Sequence, residues 1–246
     1  MASSLDRTEQ VFHFIDSIQR SSGTNENFII TLNETLKRVK KVEITHIEIP
    51  YSYYVITSTN NVIDFKDNTS TSQQATIAEG NYSGTSFAGE IQNKLNAIYP
   101  GWSVTYSSVT YKLNFQHSTN FELNTTGTAS ELIGLLADSG VTTNFTSQGI
   151  SNLSGPNYIY LKSDTLTRPM RRKPVVGSAT SDVLYKIQVV TGPGTTIVNQ
   201  TIKNNPYVFP IRQSISTIDF RLEDPDGNVL DLNGLRWSIS LVYDIL

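Results

Sequence analysis

The sequence has no cysteine, only three histidines and a charged fraction of 17%. Without cysteine there are no disulfides and no thiolate metal sites, and its absence fits synthesis in a reducing compartment. The net charge is -3, so no overall basic field draws nucleic acid or an anionic membrane. The opening MASSLDRTEQ has no basic stretch followed by an apolar one, so no secretory leader is read and the chain is expected not to be secreted. No apolar run approaches the ~18 residues of a membrane helix. Asn-x-Ser/Thr triplets at Asn81, Asn144 and Asn199 are those expected by chance in a chain so rich in these residues.

Polar uncharged residues and aromatics fill the chain instead, with 12 Tyr and 10 Phe among 246 residues. That length suits one large all-β domain or two small ones, and it buries roughly 70–75% of the unfolded surface. Asn27–Leu32 reads as a strand. In 39–49 apolar residues fall at Val42 and Ile44, then at Ile47 and Ile49, so the alternation slips by one residue as at a β-bulge. Tyr51–Ile56 reads as a further strand. Phe87, Ile91, Leu95 and Ile98 recur at helical spacing. They predict an amphipathic helix over about 86–98, capped by Thr85 or Ser86 and packed on a sheet. Trp102–Tyr106 and Tyr111–Gln116 read as a hairpin. Ser130–Ala137 has the texture of a short second helix, 138–156 reads as a long loop, and Tyr158–Leu161 and Val183–Val190 read as strands.

Acidic residues crowd Gly227 in FRLEDPDGNVLDLNGLRW. With Gly227 at the sixth place of a calcium loop, the first and twelfth places are Leu222 and Asn233, and neither is an acidic ligand. Turn chemistry fits instead: Asp224-Pro225-Asp226-Gly227 and Asn233-Gly234 are reversal signals. Alternation at Ile218, Phe220 and Leu222, and at Trp237, Ile239, Leu241 and Tyr243, predicts a half-buried strand on each side. The expectation is a final hairpin, with a short strand at Val229–Leu232 between.

Signals for chemistry are absent. His13, His46 and His117 have no metal-ligand spacing. GPGTT at 192–196 lacks the lysine of a phosphate loop and reads as a turn. No G-x-S-x-G elbow occurs. Neither an enzyme nor a cofactor is expected. Arg168, Arg171, Arg172 and Lys173 form the one dense basic cluster, bracketed by Pro169 and Pro174. It reads as a solvated loop or as a contact for an acidic partner surface or packaged nucleic acid; without interleaved aromatics it does not support sequence-specific nucleic-acid binding.

Seven stretches together carry a resemblance: IEIPYSYYVI (47–56), IAEGNYSGTSFAGEIQNKLN (77–96), WSVTYSSVTYKLNF (102–115), SELIGLL (130–136), SGPNYIYLKSD (154–164), VLYKIQV (183–189) and FPIRQSISTIDFRLEDPDGNVLDLNGLRWSISLVYDI (209–245). In this order the chain resembles the penton (vertex) and other single-jelly-roll minor capsid proteins of virophages, polinton-like viruses and large eukaryotic DNA viruses with double-jelly-roll major capsid proteins. The resemblance implies an all-β jelly-roll sandwich of two antiparallel sheets, with an N-terminal arm at 1–22 and a single capsid domain at 23–246. It implies a homopentamer at the icosahedral fivefold vertices. Its partners would be further copies of itself, major capsid protein capsomers and other minor capsid proteins, and its place the virion, after synthesis in the host cytoplasm or a virus factory. A cement protein under the shell shares this texture, and a glycan- or receptor-binding β-sandwich is the alternative from another class. The resemblance supplies no catalytic, cofactor or metal residues.

Overall fold

The computed structural model describes residues 8–170, 182–200 and 206–246. The chain forms two compact units. One combines Met1–Tyr53 with Pro156–Leu246, and the other is Tyr54–Gly155, inserted between them. Each has its own apolar core. Elements are numbered in chain order.

The first unit is built on β3, Asn27–Pro50, a strand of 24 residues. Its sheet also holds β1 (Glu9–Asp16), β2 (Ser22–Gly23), β9 (Tyr158–Lys162), β10 (Val183–Gln188), β11 (Thr196–Gln200), β12 (Tyr207–Glu223) and β13 (Ser238–Ile245). The order is β1-β13-β3-β12-β9-β10, with β11 and β2 also on β3, and every pairing is antiparallel. The inward face of β3 is Phe28, Ile30, Leu36, Val39, Val42, Ile44, Ile47 and Ile49. These residues change parity three times. A one-residue slip would turn the apolar set to solvent, unless an extra residue is absorbed at each change. The ladders show all three. Leu36 and Val39 flank one slip against β12, beside Arg38 at φ 58. Lys40 is the extra residue between Lys41↔Asp244 and Val39↔Ile245. Thr45 is extra between His46↔Ser240 and Ile44↔Leu241; this is the slip that the apolar pattern of 39–49 predicts.

β3 therefore bends along its length. Residues 27–31 pair with 217–221 of β12 and residues 36–42 with 207–215, while 39–48 also pair with β13 on the other side. Trp237, at the entry to β13, packs across the core on Phe28 and Phe220, with ring centroids 5.7 and 6.0 Å away. The sheet wraps around one core as a β-sandwich. β12 and β13 lie on opposite sides of β3 rather than pairing in a final hairpin, because each finds its long ladder with β3.

The second unit has a sheet ordered β5-β4-β7-β6, with β8 also on β7. These strands are β4 (Val62–Lys66), β5 (Ser72–Thr76), β6 (Ser103–Ser107), β7 (Lys112–Asn124) and β8 (Thr142–Thr146). Helix α1, Gly84–Ile98, buries Phe87, Ala88, Ile91 and Leu95 in the same core as Phe65, Leu113, Phe115 and Leu123 of the sheet and Trp102 just before β6. Ser83 caps it, not Thr85 or Ser86: the Ser83 side chain accepts the Ser86 N–H and the Ser86 hydroxyl binds back to the Ser83 backbone, a reciprocal box. Ile98 is 40% exposed and ends the stripe outside the core.

Four expected elements differ. Segment 51–56 is not a strand: Tyr51 and Tyr53 stack with centroids 4.3 Å apart, and Tyr51 bonds through its backbone to Thr195 and Gly194. Ser130–Ala137 is a run of turns, not a helix. Gly134 takes φ 71, and the amides of Ile133, Gly134 and Leu135 reach back to Ala129, Glu131 and Ser130 at unequal spacing. The loop at 138–156 contains β8, a strand too polar to show in the apolar pattern. Val229 makes only an isolated bridge, to Glu223. The short second helix lies elsewhere, at Asp164–Thr167, as α2.

Two glycines in different units separate backbone strain from propensity. Gly227 sits at φ 91, so Gly227→Val forces a β-branched residue into the left-handed region and costs about 1–2 kcal/mol. Gly89 lies inside α1, and an added Cβ there meets nothing within 4 Å. Gly89→Ala therefore stabilises by about 0.5–1 kcal/mol. Denaturant unfolding checks both: the midpoint falls for the first variant and rises for the second.

Candidate functional site

The basic loop springs from a built base. Lys162 ends β9 with 4% of its side chain exposed, and its Nζ lies 2.6 Å from Glu223 and 3.3 Å from Asp182. Arg221 pairs with the same two carboxylates, 2.7 Å from Asp182. Two cations and two anions cancel, as burial demands: an unmatched charge in this position would cost several kcal/mol. The backbone closes the gap with Ser163 N–H donating to Asp182 O at 3.0 Å. The two ends of the 163–182 segment are thereby held together.

Asp219 adds a second anchor. Its carboxylate accepts the N–H groups of Asp164 at 2.8 Å and Thr165 at 2.7 Å, at the first turn of α2. Burial disfavours its charge, but the hydrogen bonds from Thr165 and Asp164 outweigh that and hold its pKa below the ordinary aspartate value. At the far end of α2, Arg168 is 78% exposed and ion-paired with Asp164; an exposed pair of this kind contributes little to stability. Arg171, Arg172 and Lys173 lie outside the described residues. Of the basic cluster, the structure therefore places Arg168 alone.

The acidic segment at 224–228 engages its own backbone. Asp224 Oδ1 accepts the N–H groups of Asp226 at 2.9 Å and Asn228 at 2.8 Å, and Oδ2 accepts the Asn228 side-chain amide at 3.0 Å. Gly227 N–H donates to Asp224 O, and Pro225 occupies the corner where its fixed φ suits a turn. Asn233 and Gly234 take φ 51 and 78, with Leu235 N–H donating to Leu232 O at 3.0 Å. This is the pattern of a type I′ reversal.

The histidines are dispersed. His46 pairs with Glu48 at 2.9 Å on β3. His117 is buried, with Nδ1 accepting from Thr119 N–H at 3.1 Å and Nε2 facing Pro100 O at 3.0 Å, so Nε2 carries the proton. His13 packs edge-on to Tyr243 at 5.2 Å. Among the described residues, no group of three His, Asp or Glu side chains could hold a metal ion.

Two features escape a reading of the sequence. Three of the four pairs in the charge network join residues far apart in sequence, Arg221 and Glu223 alone being near neighbours, and no local pattern announces it. The segment expected as an arm at 1–22 contains β1, fully paired with β13 from Glu9↔Ile245 to Asp16↔Ser238. The alternation of Val11, His13 and Ile15 was the signal for it.

Asp219 yields a pH prediction. Its folded-state pKa is lowered, so its contribution is complete above the ordinary carboxylate range of about 4. It is lost as pH falls through the lowered value. Asp219→Asn removes that dependence: the variant is less stable at neutral pH, and its deficit shrinks on acidification. Melting temperatures of both proteins from pH 7 down to pH 3 check this.

No curated protein matches the chain. Among solved structures, the crystal structure of the selenomethionine-labelled mavirus penton protein aligns with 96% of this chain and 99% of its own, at a TM-score of 0.56 and 10% identity. At that identity the two share a fold, the jelly-roll β-sandwich expected from the sequence. Residues 6–208 match the model of a family of unknown function (DUF5901), and the chain belongs to that family.

Proposed function

We propose that this chain is a structural capsid protein of the penton type, forming a homopentamer at icosahedral fivefold vertices and contacting the surrounding major capsid protein. The observation that carries this reading is the near end-to-end correspondence with the mavirus penton protein, which leaves almost no part of either chain unmatched. In this reading the role is mechanical rather than enzymatic. Wedge-shaped subunits close a ring by head-to-tail contacts, in which one surface of each copy meets a different surface of the next. The basic loop at Arg168, Arg171, Arg172 and Lys173, on its ion-paired base, serves as a contact for an acidic neighbouring surface. The virion is the place of action.

Mass in solution tests the reading. Native mass spectrometry or sedimentation over a range of concentrations is expected to show a discrete species of five chains. A monomer at every concentration, up to those at which the chain precipitates, contradicts the homopentamer.

A further inference from the structure

The two ends of the sandwich sheet are guarded differently. Unpaired edge backbone invites another strand, and proteins usually blunt it with bulges, proline or lysine. The β10 end is blunted: its pairing slips between Val183 and Tyr185, and Lys186 lies 3.7 Å over the Tyr158 ring. The β1 end is not. Its sequence, EQVFHFID, has no lysine, proline or glycine, and its eight pairs with β13 run without a slip. Among the described residues, β13 is the only strand that β1 pairs with. Phe12 and Phe14 are 56% and 76% exposed.

The backbone groups along this edge can be assigned. Ser17 N–H donates to Trp237 O. Antiparallel alternation then turns the N–H and C=O of Ile15, His13 and Val11 toward β13, and those of Phe14, Phe12 and Gln10 away from it. Beside the edge runs an open cleft of about 510 Å³, lined by Val11, His13, Ile15 and by Ile30, Leu32 and Leu36 of β3. His13 Nδ1 is buried there without a hydrogen-bond partner among the described residues. An outward donor–acceptor row beside a partly apolar cleft is the geometry of strand addition.

We infer that the free edge of β1 receives the segment Met1–Arg7 of a second copy of this chain as an added strand. The segment precedes β1 and, extended, its seven residues reach ~23–25 Å, enough to follow most of an eight-residue edge. Met1, Ser3 and Leu5 fall on one face when extended, which places two apolar side chains toward the cleft or the exposed phenylalanines. Folding back onto its own β1 requires a tight reversal at 6–8, and Asp6-Arg7-Thr8 offers neither the glycine nor the asparagine such hairpins favour. Supplied to a neighbour, the segment makes a head-to-tail contact, the kind that closes rings. The inference deepens the penton reading and rests on it for copies meeting side by side.

The cysteine-free chain permits a direct test by disulfide trapping, which requires Cα atoms within about 7 Å. Full-length Leu5→Cys chain is mixed with Phe12→Cys chain, and separately with Phe14→Cys chain, then oxidised and analysed by mass spectrometry. The expected product is a covalent dimer of two different chains in at least one mixture. Mixing with Val109→Cys, at an 86% exposed site in the other unit, is expected to give none. Adding Phe12→Pro to the Phe14→Cys chain removes an outward N–H while sparing the β13 ladder, and is expected to cut the yield several-fold. No cross-link in either mixture, equal linking to position 109, or linking unaffected by Phe12→Pro overturns the inference. So does a doubly substituted Leu5→Cys/Phe14→Cys chain that closes on itself as a monomer. A five-chain mass without the cross-link defeats the edge contact and leaves the vertex reading standing; the cross-link without a five-chain mass does the reverse.

Discussion

The sandwich depends on one constraint: the apolar face of β3 must stay inward over 24 residues while the strand bends around the core and carries ladders to β11, β12 and β13. A regular strand cannot do both, since its side chains alternate strictly and the bend needs extra twist. At its three changes of parity the chain absorbs single extra residues, at Arg38, Lys40 and Thr45, besides a wider shift of the β12 ladder between Thr31 and Leu36. All three residues are polar or charged, and none has its side chain in the core. Each slip bends the strand and restores the apolar register at once. β11, β12 and β13 take their places from the resulting edges, and Trp237 packs on the register partners Phe28 and Phe220 inside the core.

Legibility in the sequence followed the range of the interaction. The slip at Thr45 could be read from the positions of Ile44 and Ile47, because both sides of it are apolar. The slip at Arg38 could not, since nothing in ETLKR marks a left-handed arginine, and the two halves of β3 looked like separate strands. Helix α1 was visible in its stripe, while its cap needed the reciprocal bonds of Ser83 and Ser86 to be located. Polar β8 was hidden because Thr142–Thr146 draws its place from pairing with β7, not from apolar alternation. β12 and β13 were visible as strands, but their separation by β3 depends on residues some 200 positions away. The same holds at the loop base, where Lys162, Asp182, Arg221 and Glu223 converge only once β9, β10 and β12 are aligned.

The 10% identity with the mavirus penton protein shows how loosely the sequence specifies such a fold. Few side chains need to be shared for two chains to keep one fold. The contrast between the two sheet ends gains meaning in that light. The core would fold as well with a lysine on β1, so the bare edge with Phe12 and Phe14 is not required by the fold. It is the kind of feature that assembly explains and stability does not.

Native-state hydrogen exchange, resolved along the chain by mass spectrometry, tests the organising role of β3 most directly. Backbone amides flanked by a ladder on each side open only with the whole unit. The account predicts that the slowest exchange in the sandwich unit lies in β3 at Lys41–Val42 and His46–Glu48, where β13 lies on one side and β12 or β11 on the other. Exchange is expected to be faster in β1, which has one neighbour. Exchange at those positions of β3 as fast as in β1 would contradict the account, because the ladders would then be held together by something other than their shared strand.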